Sequence, residues 1–143
     1  MDLSFFKKTR ILDAGMGQEL LARGLITKGT LWSATSLIDE KFNSLVVDTH
    51  LSSIRAGADV ILTNTFTTRR GRMVQNQVGD LFQIANQKAC ELAIKARELS
   101  KKNILIAGSL PAQNDTYQAD KRDQNTIEKD LQLDFAPFLL FLL

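Results

Sequence analysis

Asp59-Val60-Ile61-Leu62-Thr63 is the stretch on which the fold turns: three aliphatic residues in a row, two of them β-branched, with no polar residue between them. A strand with one wet face alternates apolar and polar side chains, so an unbroken run means that both faces are covered. Arg10-Ile11-Leu12-Asp13 and Asn103-Ile104-Leu105-Ile106-Ala107-Gly108 read the same way, and a fourth strand is expected after Pro137, through Phe138-Leu139-Leu140-Phe141-Leu142-Leu143. Between these runs the pattern changes to a helical period. Glu40–Ala56 carries Phe42, Leu45, Val46, Thr49 and Ile54 on one side, with Gly57 in the stop position. Gly79–Lys101 carries Leu81, Ile84, Ala85, Ala89, Leu92, Ala93, Ala96 and Leu99 as one apolar stripe, with basic residues crowding its end. Shorter helices are expected over Glu19–Arg23 before Gly24, and from about Thr126 to Phe135. The stretches Leu25–Ser36 and Leu110–Arg122 read as loops.

Strands covered on both faces and separated by helices define an α/β fold with a parallel sheet of βα units. The fixed hand of the crossovers then gathers every strand's C-terminal end on one side. The fourth strand has no helix after it, and an uncovered apolar strand invites association, so the chain reads as cut within a larger sheet.

Composition narrows the function classes. With 143 residues, 44% hydrophobic and 24% charged, the chain has the make-up of a globular domain with a real core. A formal charge of +2 with interspersed signs gives no reason to invoke nucleic acid. The densest basic stretch, Thr68-Arg69-Arg70-Gly71-Arg72, reads as a solvated loop, with an anion contact near a site as the alternative. The single cysteine forms no intrachain disulfide, which suits a cytoplasmic protein. No signal peptide or targeting segment is visible, and the terminal apolar run is far short of the ~20 residues needed to span a membrane.

In parallel α/β folds functional groups collect at the C-terminal ends of strands. Three such ends carry small or polar groups: Asp13-Ala14-Gly15-Met16-Gly17, Thr63-Asn64-Thr65-Phe66-Thr67 and Gly108-Ser109-Leu110-Pro111. The Gly15-Met16-Gly17 pair invites a phosphate loop, but Leu20 stands where a dinucleotide fingerprint needs its third glycine, and no Lys-Ser/Thr follows. Asp13 would repel a phosphate; it suits an ammonium group, such as that of an amino acid, through a charge-assisted hydrogen bond. His50, the only histidine, reads as structural or surface rather than as a site contact. Cys90 reads as a buried thiol, and a lone cysteine builds no tetrahedral zinc site. Trp32 either closes over a ligand or caps the end of the fold.

Ile11-Leu12-Asp13-Ala14-Gly15-Met16-Gly17-Gln18-Glu19-Leu20, Leu31-Trp32-Ser33-Ala34, His50, Ala56-Gly57-Ala58-Asp59-Val60-Ile61-Leu62-Thr63-Asn64-Thr65-Phe66 and Ala107-Gly108-Ser109-Leu110-Pro111 follow the order and spacing of one family. From about Arg10 to Pro137 the chain resembles the homocysteine S-methyltransferases. The resemblance implies a zinc-dependent parallel (β/α)8 TIM barrel that moves a methyl group from a small-molecule donor to the thiol of homocysteine, giving methionine. Residues 1–143 would be the N-terminal part of that domain, with about its first four βα units. The family's zinc cysteines would lie outside this chain, so Zn2+ belongs to the full-length protein and the fragment alone would be inactive. By resemblance Asp13 holds the homocysteine amino group, Ala14 and Gly15 shape the pocket with their backbone, and Asn64 and Thr65 sit beside the sulfur and metal region. Two departures stand out: Ala14 where many members have glycine, and Thr67 where some place a tyrosine near the metal. The segment Ala136-Pro137-Phe138-Leu139-Leu140 also looks a residue short. The resemblance implies no nucleic-acid or membrane partner and leaves room for an oligomer. Two other readings are a non-catalytic half-barrel that needs a partner chain to complete its sheet, and a nucleotide-binding enzyme on an open sheet.

Overall fold

The computed structural model of the chain describes residues 3–110 and 122–129. Three extended segments run parallel. Strand β1 (Val60–Leu62) pairs with β2 (Leu105–Ala107) in the register Val60 with Leu105, Ile61 with Ile106 and Leu62 with Ala107. On the other side of β1 the segment around Leu12 lies parallel to it, joined by a single bridge from Leu12 to Val60.

The strand expected at Arg10–Asp13 is therefore a strand in direction and place, but not in length. Its backbone bonds to β1 are few: Asp59 N to Ile11 O at 2.8 Å, and Asp13 N to Val60 O at 3.0 Å. Two carboxylates supply the rest. Asp59 accepts from the Ile11 amide at 3.0 Å and pairs with Arg10 at 3.7 Å, while Asp13 accepts from the Leu62 amide at 3.1 Å. The expected full alternation of four strands with helices is seen here as this three-segment parallel array; the fourth strand lies outside the described residues.

The helices cover one side of the array. Helix α3 (Asn43–Ala56) packs on α5 (Phe82–Ser100), and both contribute to one hydrophobic core with Ile61 of β1. Ala85, Ala89, Ala93 and Ala96 are fully buried, and their small side chains let the two helix axes approach closely. A 3₁₀ turn (Glu40–Phe42) leads into α3, and Gly57 ends it at φ 110°, donating to Ile54 O at 3.2 Å. That left-handed conformation is what makes glycine the stop residue here.

Several boundaries and faces differ from the expectations. The first helix, α1, spans Met16–Ala22 and so begins three residues earlier than Glu19, directly at the strand tip. Leu25–Ser36 is not all loop: a 3₁₀ turn (Trp32–Ala34) runs into α2 (Thr35–Ile38). Their buried faces are made of Ser33, Thr35 and Ser36 as well as Leu37, so no apolar stripe announced them. The basic stretch is no solvated loop either. Helix α4 (Arg70–Gln75) takes up Arg70 and Arg72; Arg70 stacks on the Phe82 ring at 4.2 Å, and Arg72 donates to Thr30 O at 3.2 Å. On α5 the stripe is shifted. Ile84 and Leu99 are exposed, whereas Asn86 and Cys90 are buried beside the alanines. Residues 124–129 are helical, opened by Asp123, whose carboxylate accepts from the Thr126 amide at 3.0 Å. No helix among the described residues is long and apolar enough to cross a membrane.

Candidate functional site

The C-terminal ends of the three parallel segments open on a cavity of about 310 Å³. Asp13, Ala14, Gly15 and Asn64 line it, together with Gly17, Trp32, Phe66 and Ser109. Four of the five residues singled out in the sequence thus share one cavity. The fifth, Thr65, is fully buried beside it and does not line it; its hydroxyl donates to Ser109 O at 2.7 Å and ties the ends of β1 and β2 together. Ala14 has no positive φ, so the alanine meets the turn without strain and no glycine is needed there.

Behind β1 the wall is a network of short polar side chains. The amide of Asn64 donates to Ser33 O at 3.2 Å and to Ser36 Oγ at 3.0 Å. Thr67 Oγ1 accepts from the Ala34 amide at 2.9 Å and shares a hydrogen bond of the same length with Ser33 Oγ. Thr68 Oγ1 lies 2.7 Å from Asn86 Oδ1 on α5, and Asn86 in turn donates to Phe82 O. All these side chains are nearly or wholly buried, so each bond replaces one that water would have made. The network pins the Trp32 turn to the end of β1.

Gly17 is where this turn meets α1. A Cβ there would lie 2.9 Å from the Trp32 ring, so glycine is required for the indole to lie flat against the helix. Trp32 itself adopts φ 50°, an uncommon conformation for a bulky residue, held by the surrounding bonds. Trp32 lines the cavity, a position from which it could meet a ligand.

Asp13 faces this cavity with an incomplete set of partners. Its Oδ2 accepts from the Leu62 amide, while Oδ1 is buried with no hydrogen-bond partner among the described residues. Burial pushes its carboxyl up to about 6 against the pull of backbone hydrogen bonds from Leu62 and its own amide. At neutral pH it is therefore still mostly a carboxylate. Among the described residues it is also the one charged group lining the cavity. Behind it stands His50 of α3, wholly buried, with Nδ1 3.8 Å from Asp13 Oδ2. The surface role considered for His50 is excluded by that burial, and a neighbour of Asp13 is what the sequence reading missed. Nothing in the spacing of His50, thirty-seven residues beyond Asp13 on a different element, signals the approach.

Among the described residues no group of three His, Cys, Asp or Glu side chains could hold a metal ion. Cys90 is buried in α5, its thiol pushed up by burial and by Glu91, as befits an inert core sulfur.

Comparison with known proteins gives this geometry its context. The family profile described as homocysteine S-methyltransferase matches residues 10–142. The homocysteine S-methyltransferase of Escherichia coli is 33% identical over 107 residues, covering 70% of this chain and 34% of that protein. Homocysteine S-methyltransferase 1 of Brassica oleracea is 30% identical over 62% of this chain and 27% of its own length. Among solved structures, the metallated form of the Escherichia coli homocysteine methyltransferase superposes with a TM-score of 0.62 and 31% identity, over 76% of this chain and 40% of that one. The chain spans about a third of the length of the curated relatives it matches. A profile match across nearly every residue, on a fold shared with a solved relative and with the strand tips turned into one cavity, makes this chain a member of the homocysteine S-methyltransferase family.

Proposed function

We propose that the chain forms the amino-acid-binding wall of a homocysteine S-methyltransferase, with Asp13 as the anchor for the ammonium group of the substrate. The observation that carries this reading is the half-satisfied Asp13 carboxylate at the wall of a small cavity with no other charged group among the described residues. A buried acceptor left unpaired is costly, and an ammonium group is the donor that offsets the cost most fully. The backbone of Ala14 and Gly15 lies beside it, where only small groups let a ligand come close. Trp32 and Phe66 offer apolar surface for an aliphatic stem, and Asn64, held by Ser33 and Ser36, supplies a fixed polar edge.

The reaction class follows from the family. A sulfur lone pair of the homocysteine thiolate forms the new bond to the methyl carbon as the bond from that carbon to its donor breaks. The groups described here bind and orient the acceptor rather than activate its sulfur. Zinc, when bound in the family's manner, would lower the pKa of the thiol. The described residues do not fit it, since they contain no cluster of ligands, and its holders would have to lie elsewhere in the protein. The same reading extends the three parallel segments to a (β/α)8 barrel of which residues 1–143 are the N-terminal part. Ile11 and Leu12, 60% and 55% exposed on the outer segment of the array, support it, because a further strand pairing there would cover them.

Calorimetric titration with L-homocysteine and with 4-mercaptobutyrate, which lacks only the amino group, tests the anchor. Binding of the amino acid and not of its deamino analogue is expected. Equal affinity for the two ligands, or none for either, would overturn the assignment.

A further inference from the structure

Four buried side-chain nitrogen or oxygen atoms among the described residues lack a hydrogen-bond partner, and three of them belong to one pair: Asp13 Oδ1, His50 Nδ1 and His50 Nε2. Elsewhere around the cavity the buried polar groups are matched, so this clustering is a property of the pair. His50 occupies the inward face of α3 with Val46, Val47, Leu51 and Ile54, where a leucine would fill similar space without burying two polar nitrogens. Packing alone gives no reason for an imidazole there.

We propose that His50 is a positioning residue for Asp13: its Nδ1–H, now 3.8 Å from Oδ2, is the donor that fixes the carboxylate from behind when an ammonium-bearing ligand binds in the cavity. The inference rests on the reading of Asp13 as the ammonium anchor. A separation of 3.8 Å is too long for a hydrogen bond, and a shift of under about 1 Å in ring or carboxylate brings it into range. Binding-site hydrogen bonds are often long before the ligand arrives and tighten in the complex. Oδ2 has room for a second donor besides the Leu62 amide, which frees Oδ1 for the ligand.

The protonation states suit the role. Burial holds the imidazole down to about 4 and the Asp13 carboxyl up to about 6, so near pH 7 the pair is a carboxylate and a neutral ring. Among the described residues no Lys, Arg, Glu or second Asp lines the cavity or hydrogen-bonds to either side chain, and burial is the leading cause of both displacements. A neutral histidine donates from one nitrogen only, and here that nitrogen must be Nδ1.

Nitrogen-15 chemical shifts of the His50 ring in the ligand-free protein decide this directly, with no variant needed. A protonated Nδ1 is expected; a ring protonated only at Nε2 overturns the proposal. Two variants supply the second arm. His50→Asn keeps an N–H near the Nδ1 position, whereas His50→Leu keeps the bulk and removes the donor. His50→Leu is expected to weaken homocysteine binding at pH 7 about tenfold and to move its acidic limb to higher pH, and His50→Asn to restore both. Equal binding and an unmoved limb in His50→Leu, or His50→Asn as weak as His50→Leu, would overturn it. A purely structural histidine would change melting temperature without moving the limb. Should His50→Leu fail to fold, the ring shifts and the His50→Asn titration still decide. If the unaltered protein binds no homocysteine, the substrate reading falls on its own, and the ring shifts still report on the pair.

Discussion

Two groups of buried polar side chains flank the same cavity and are treated in opposite ways. In the network of Ser33, Ser36, Asn64, Thr67, Thr68 and Asn86, donors meet acceptors at 2.7–3.2 Å. In the Asp13–His50 pair, one carboxylate oxygen and both ring nitrogens have no hydrogen-bond partner among the described residues. The first group costs little to bury and locks the Trp32 turn against β1. The second stores an unmet demand at the place where a ligand would arrive. Saturated polar groups are architecture; unsaturated ones at a cavity wall are poised for something that is not part of the chain.

The sharpest way to break the contrast is Asp13→Asn. It keeps the shape and the acceptor but removes the charge, so homocysteine affinity at pH 7 should fall about 100-fold by calorimetry. Thermal stability should hold or rise, because a buried charge has gone. Loss of both affinity and fold would place Asp13 with the architectural group instead. Thr67→Val makes the converse case. It strips an acceptor from the Ala34 amide and a partner from Ser33, and urea unfolding should show a loss of about 2 kcal/mol. A neutral result would mean that the network is less tightly coupled than its distances suggest.

A third test reads the boundary between the groups. Gly17→Ala places a methyl group against the Trp32 ring, with an expected cost of about 1 kcal/mol and a change in the emission of the protein's single tryptophan. Unchanged emission would show that the indole is not braced by α1.

The smallest effect is a cancellation. The folded carboxyl of Asp13 sits near 6, above its ordinary 3.8, so its burial is cost-free at low pH and destabilises increasingly as pH rises from about 4 to 6. The folded imidazole of His50 sits near 4, below its ordinary 6.5, so it contributes stability that is complete above about 6.5 and lost as pH falls toward 4. The displacements are of similar size and opposite sign. The unaltered protein should therefore show little net slope from this pair between pH 4 and 6.5. Asp13→Asn should become more stable as pH rises over that window, and His50→Leu less. Parallel slopes in all three proteins would mean that the pair is not where the histidine and aspartate titrate.

What the sequence disclosed and what it withheld divide along the same line. Val60–Leu62 and Leu105–Ala107 are legible as short unbroken runs of apolar residues, although Leu105–Ala107 is only half-buried, and Gly57 is legible because a left-handed stop needs glycine. The strand tips led to the cavity because parallel strands share one functional end. The Trp32 turn and α2 were hidden, since three of their five buried positions are serine or threonine, and the partners Asn64 and Thr67 lie some thirty residues away. Helix α4 was hidden by its charge: Arg70 and Arg72 find an aromatic face and a carbonyl that local composition does not reveal. Thr65, expected from the family resemblance beside the sulfur and metal region, uses its hydroxyl to reach Ser109 O, a bond that nothing in the local sequence signals. Exposed Ile84 and Leu99 satisfy a helical period without facing this core. His50 escaped because proximity across elements leaves no local trace.

The few backbone bonds of the segment bearing Asp13 are reinforced by two carboxylates, Asp59 at its foot and Asp13 itself at its tip. One carboxylate thus serves as rivet through Oδ2 and as latch through Oδ1. Protonating Asp13 weakens the tip fastening at the same moment that it empties the cavity of charge. Amide exchange at Leu62, whose N–H is held by Oδ2, should accordingly quicken in acid more than its neighbours in β1, and slow when an amine-bearing ligand is present.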